Sequence, residues 1–303
     1  MALNPVDKLL GSYLGFVTLV MLLRHPFSGS TTAWMLVMHV LFGLLLFLFS
    51  RLDARMRVGN VVHELYPLVM VVPLYTEIGF LNAELGESAI LANDAFVQSI
   101  EAWIFGGQIS YTWLREYPSV FWSGALHLAY LSYYVIIVIG PVVLLAQKRT
   151  GAARMVLFST MLAFVFCYMW FILFPVAGPN WVFDHPTGPV REVWSARLVY
   201  SLLDTGSSYG AAFPSSHVAA TLAATLTLLK VRKPLGLAVL GPCLLLIVAT
   251  VYCQMHYGVD AGSGVVVGIA AVVSSRLPTL NRVLKKGFPA ARVGSRPMDD
   301  GAV

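Results

Sequence analysis

Long stretches of this chain carry no Asp, Glu, Lys or Arg, and that absence constrains its fold more than any other feature. Residues 9–23, 25–50, 117–147, 155–183, 205–229, 234–259 and 261–275 are free of such charge, and 65–76 is a shorter run between Glu64 and Glu77. A bilayer core about 30 Å thick takes roughly 20 residues of helix, so runs of this length predict transmembrane helices. Read with polar ends, they give eight spans near 9–23, 32–50, 61–81, 121–146, 154–174, 213–230, 234–252 and 256–276. The expected fold is an all-α polytopic integral membrane bundle. Pro67, Pro73 and two glutamates make the third span a kinked or partly interfacial helix. Composition agrees: 58% of the 303 residues are apolar and 12% are charged, too few to coat a water-soluble protein. This excludes a cytosolic enzyme, a secreted disulfide scaffold and a disordered regulator. Cys167, Cys243 and Cys253 all lie in apolar runs and read as small core residues.

Basic residues orient the bundle, because they gather in cytoplasmic loops. Eight spans put both termini and the even-numbered loops on one side. That side holds Lys8, Arg51, Arg55, Arg57, Lys148, Arg149, Arg154, Lys230, Arg232, Lys233 and six more from Arg276 to Arg296. The other holds Arg24, Arg115, Arg191 and Arg197. Sixteen against four predicts cytoplasmic termini and outer loops near 82–120 and 175–212, in a bacterial inner membrane or its equivalent. Arg24 follows the first span directly, with no small-residue cleavage site, so that span reads as a retained helix. The segment 95–116, with Phe96, Ile100, Trp103 and Ile104 at helical spacing, suits a packing helix in the outer interface. Glu77 and Asp94 flank the outer mouth, where they could serve a polar headgroup. The resulting division is amino-terminal helices with the interfacial helix over 1–120, a catalytic core over 121–276, and a flexible basic tail over 277–303 lying on anionic lipid.

Ionisable residues at membrane depth are costly and mark function. One group is Phe213-Pro214-Ser215-Ser216-His217, after a Gly206-Ser207-Ser208-Tyr209-Gly210 stretch. Pro and Ser there signal a helix start, whose free N–H groups and dipole favour an anion. The other is His256-Tyr257-Gly258-Val259-Asp260, opening the eighth span. Four residues apart on a helix, Asp260 can hold one ring nitrogen of His256 and leave the other as nucleophile or base. The charge count puts both groups at the outer face.

Pro214-Ser215-Ser216-His217 and His256 through Asp260 resemble two signatures, Pro-Ser-x-His and His-x-x-x-Asp, of the type 2 phosphatidic acid phosphatase superfamily. The resemblance covers roughly residues 121–276 and implies its six-helix-type core, with the last five spans carrying the site. Phe174-Pro175-Val176-Ala177-Gly178-Pro179-Asn180-Trp181 and the Thr250-x5-His256 form are most similar to the inositol phosphorylceramide synthase branch. The implied roles are His256 attacking phosphorus, Asp260 orienting it, and His217 protonating the departing oxygen. Ser215 and the backbone at Ser216 would bind phosphate oxygens, and no metal or other cofactor is needed. The chain departs from the hydrolase pattern: Ala249 and Thr250 stand where Ser-Arg is usual, and the Lys-x6-Arg-Pro signature is absent. Arg191, Arg197 and Asn180 are the candidates to replace the missing cations. Fewer cations suit a phosphodiester donor.

The expected activity is a lipid phosphotransferase with a phosphohistidine intermediate, moving a phospho-headgroup from a phospholipid to a lipid alcohol such as ceramide or diacylglycerol. A phosphatidate or polyprenyl phosphate phosphatase would use the same residues. A transporter, and a metal site built from two His and one Asp, are the alternatives outside this chemistry. No nucleic-acid partner is implied.

Overall fold

The computed structural model describes residues 4–24, 30–51, 57–83 and 85–275; the basic tail at 277–303 lies outside them. Their helices are, in chain order, α1 (Pro5–Arg24), α2 (Ser30–Arg51), α3 (Arg57–Ala83), α4 (Glu87–Phe105), α5 (Ile109–Glu116), α6 (Val120–Ala146) and α7 (Thr150–Leu173). Three short or amphipathic ones follow, α8 (Pro179–Val182), α9 (Pro189–Glu192) and α10 (Trp194–Gly206). The chain closes with α11 (Ser216–Val231), α12 (Lys233–Tyr252) and α13 (Gly258–Ser274). No sheet forms among the described residues; one parallel bridge joins Val176 to Ala211.

Among the described residues, five helices are long and apolar enough to cross a bilayer: Pro5–Arg24, Val61–Ala83, Val120–Ala146, Thr150–Leu173 and Lys233–Tyr252. Shorter apolar helices, Ala33–Phe49, Ser216–Val231 and Gly258–Ser274, stand where the other three spans are expected. The protein is an integral membrane protein. Trp34, Val69, Trp103 and Phe121 are exposed on its surface, as side chains facing hydrocarbon are. The third span is better formed than its sequence suggests, since one helix of 27 residues runs through both Pro67 and Pro73.

α11 is the hub, packed against α6, α7, α12 and α13. Its buried residues are nearly all small, Ala219, Ala220, Thr221, Ala223, Ala224 and Thr225 among them, and small side chains let helix backbones approach closely where lipid supplies no hydrophobic drive. Gly264 and Gly268 of α13 complete the contact. A Cβ on Gly264 would lie 2.6 Å from the Ser215 carbonyl oxygen, and one on Gly268 would lie 2.8 Å from that of Ala219. Gly262 meets nothing and plays no part in this packing. α1 and α3 lie against α7, which places the amino-terminal helices beside the rest.

The two carboxylates expected at the outer mouth are elsewhere engaged. Glu77 is buried on α3 and pairs with His39 of α2 at 2.5 Å. Asp94 is buried on α4 and fully bonded, as described below.

Candidate active site

His217 is the second residue of α11, and His256 lies in the turn that joins α12 to α13. The ring centroids are 5.7 Å apart. Local capping explains why these elements start where they do. Ser215 caps α11, its hydroxyl accepting from the Val218 N–H at 3.4 Å. Its own N–H donates to the Asp260 carbonyl at 3.0 Å, a bond that ties the start of α11 to the first turn of α13.

The His256–Asp260 pair differs from its expected form. The helix opens at Gly258, two residues after His256, because the Asp260 carboxylate turns back to accept the Tyr257 N–H at 2.9 Å. His256 is held instead by the end of α12, its N–H donating to the Thr250 carbonyl at 2.8 Å. Its Nδ1 lies 3.5 Å from Asp260 Oδ2, at the outer limit for a hydrogen bond. Such catalytic contacts commonly tighten when substrate binds. Burial pushes the His256 imidazole down to about 4, so the ring is neutral, and nucleophilic, at neutral pH.

Both rings line a small cavity of about 40 Å³ with Asn180, Trp181, Ser207 and Ser208. Asn180 is the neutral donor the sequence singled out, and its buried Oδ1 has no partner within the protein. The parallel bridge brings it there. Val176 N–H donates to the Gly210 carbonyl and Ala212 N–H to that of Val176, both at 3.1 Å. Gly178, at a left-handed φ of 90°, turns the chain beneath Ala212 into α8.

Other candidates are placed differently. The Ser215 side chain is fully buried in its cap role, while Ser216 lines a larger adjoining cavity. Arg191 is not brought to the imidazoles. Pro189 starts α9, Val190 is buried, and its carbonyl accepts from the Ser123 hydroxyl at 2.5 Å. The Arg191 guanidinium therefore lies over the Tyr200 ring, 4.6 Å from its centroid, in a separate pocket with Arg197 and Asp204. Among the described residues, no Lys or Arg lines the cavity that holds the two rings.

Several residues that sequence reading missed frame the site. Tyr130 and Tyr133 of α6 flank His217 at 5.1 and 4.5 Å between centroids, and the Tyr130 hydroxyl lies 3.2 Å from Nε2. Gln254, at a φ of 60°, donates to the Asp184 carbonyl at 3.0 Å and accepts from Arg115 at 2.7 Å, bracing the turn just before His256. α4 does more than pack. Glu101 accepts from the N–H groups of Gly258 at 3.1 Å and Val259 at 3.0 Å, and burial raises its carboxyl above the ordinary range. Asp94 accepts from the Gly178 N–H and the Tyr257 hydroxyl, both at 2.8 Å. One amphipathic helix thus anchors both the Asn180 loop and the helix of Asp260.

Glu101→Ala is expected to destabilise the protein by about 1–3 kcal/mol, because two N–H groups of α13 lose their acceptor. Glu101→Gln, which keeps one acceptor oxygen, should recover part of the loss. Thermal unfolding in detergent measures both; an unchanged melting temperature for the alanine variant would refute the anchoring role.

The arrangement sets a neutral imidazole, a second imidazole and an amide around one small cavity at a helix start, which suits attack on phosphorus with protonation of a leaving oxygen. Comparison with curated proteins gives no match, and comparison with solved structures gives none. A family profile described as the PAP2 superfamily matches residues 96–274. The match runs from within α4 to the end of α13, takes in Asn180, His217, His256 and Asp260, and covers more than half of the chain, which therefore belongs to the PAP2 superfamily.

Proposed function

We propose that the protein is a membrane lipid phosphotransferase that works through a phosphohistidine. Membership in the PAP2 superfamily points to phosphatase or phosphotransferase chemistry. The observation that carries the reading is the meeting of His217 and His256, from separate elements, on one cavity lined by Asn180. His256 attacks phosphorus, and its N–P bond forms as the P–O bond to the lipid alcohol breaks. His217, protonated beside the bound phosphate anion, gives that proton to the departing oxygen, and Asp260 stabilises the charge that develops on His256. The free N–H groups at the start of α11 and the Asn180 amide hold the non-bridging oxygens. An incoming lipid alcohol then reverses the sequence, returning its proton to His217. Each of these steps is carried by side chains and backbone N–H groups of this chain.

A cavity without Lys or Arg suits the single charge of a phosphodiester better than the double charge of a monoester. That, with the Thr250-to-His256 spacing, favours a transferase of the inositol phosphorylceramide synthase type, with ceramide or diacylglycerol as acceptor. The basic-residue asymmetry supports cytoplasmic termini and a site at the outer leaflet. Purified protein given headgroup-labelled phospholipid, with and without ceramide or diacylglycerol, is expected to make a new labelled lipid only when the alcohol is present. Label released as water-soluble phosphate would make it a phosphatase; neither product would overturn the reading.

A further inference from the structure

His217 borders two cavities, and they differ in kind. The small one, shared with His256, has Asn180, Ser207 and Ser208 in its lining. The other, of about 340 Å³, is lined by Val71, Val72, Tyr75 and Thr76 of α3, by Tyr130, Tyr133 and Tyr134 of α6, by Tyr168 of α7 and by Val199, Leu202 and Leu203 of α10, ending at Ser216 and His217. Exposure along it is graded. Val72, Tyr134 and Leu202 are 66%, 49% and 41% exposed, while Tyr130 and Tyr133 beside His217 are 4% and 6% exposed. The chamber therefore opens between membrane-facing surfaces of α3, α6 and α10, and its buried end lies at the His217 imidazole.

We infer that this chamber binds the hydrocarbon chain of the lipid alcohol, and that α3 sets which chains it accepts. The inference deepens the phosphotransfer reading and rests on it for the identity of the alcohol. The group whose oxygen takes a proton from His217 must lie on the side of His217, and the chamber on that side is apolar and opens to lipid. Microscopic reversibility places the leaving and attacking alcohols in one position, so both use it in turn. The α3 wall, residues 71–76, falls outside the 96–274 region shared with the superfamily. A wall that the shared core does not supply is free to differ between its members, and it is where chain selectivity can be built. Extra methylenes in an apolar pocket are discriminated by roughly 10-fold to 200-fold.

The test compares kcat/KM for dioleoyl and dihexanoyl forms of one labelled phospholipid. Val72→Trp and Thr76→Trp, at the mouth, are expected to lower the long-to-short ratio at least about tenfold. Val69→Trp, exposed on α3 but outside the chamber, is expected to leave the ratio unchanged. Ratios unmoved by either mouth variant would overturn the inference. Independently of turnover, a diacylglycerol with a diazirine at its chain end is expected to label the 71–76 and 130–134 segments, in the wild type and in the His256→Ala variant alike. Label confined to other segments would overturn the chamber even if phosphotransfer were confirmed, whereas labelling there without any turnover would leave the chamber standing and remove the proposed reaction.

Discussion

His256→Ala is expected to abolish phosphotransfer, with turnover falling at least about 10⁴-fold in a protein that still folds. In the proposed reaction His256 forms the bond to phosphorus, while His217, the other imidazole on the cavity, serves as the acid. Folding should survive because little is lost with the ring beyond its bond to the Ala212 backbone. Nδ1 has no hydrogen-bond partner, the Asp260 carboxylate keeps its bond to the Tyr257 N–H, and the backbone bond from His256 to Thr250 does not depend on the side chain. The wild type should also yield an acid-labile, base-stable phosphoprotein when quenched during turnover, and the variant none. His217→Ala is expected to lose less, about 10²- to 10⁴-fold with an alkyl ester, the range for a general acid. With a nitrophenyl ester, whose oxygen departs without a proton, most of that loss should vanish. Retained transfer by the His256 variant, measured on monodisperse protein in detergent, would remove the assignment.

The residues proposed for this chemistry were legible in the sequence because their cost is local. A histidine beside a Pro-Ser helix start, or one four residues before an aspartate, stands out in charge-free surroundings. What surrounds them was not legible, for a different reason. Glu101 and Asp94 act on Gly258, Tyr257 and Gly178, up to 163 residues away in sequence, and an amphipathic pattern does not say which partner its polar face meets. Arg191 stands out in the sequence as one of two cations in its loop, but the burial of Val190 and the start of α9 at Pro189 turn it onto Tyr200. The start of α13 at Gly258 was recoverable: Asp260 stands three residues after Tyr257, the spacing of a reciprocal cap, which ends the helix before it can include His256. The α3 wall was hidden by Pro67 and Pro73, which lower a helix's apparent quality although neighbours in a bundle readily support such a helix.

Gly264→Leu is expected to lower turnover at least about 100-fold with every catalytic side chain still present. α11 carries His217 and α13 follows His256, so the distance between the rings depends on how closely the two helices lie. That distance is set at Gly264, where a Cβ would meet the Ser215 carbonyl oxygen at 2.6 Å and the Val218 Cβ at 3.0 Å. The backbone there cannot yield easily, since the same Ser215 donates its N–H to the Asp260 carbonyl at 3.0 Å. A leucine must push the helices apart, at about 1–3 kcal/mol for overpacking, and carry the imidazoles with them. A misplacement near 1 Å is enough to cost about 10²-fold in rate. Gly262→Leu supplies the comparison: it adds the same side chain to the same helix, but at a position with open space around it, and turnover should stay within about twofold of wild type. If both leucine variants, normalised to folded protein, turned over at the wild-type rate, close approach of α11 and α13 would not be what brings the two histidines to one phosphorus.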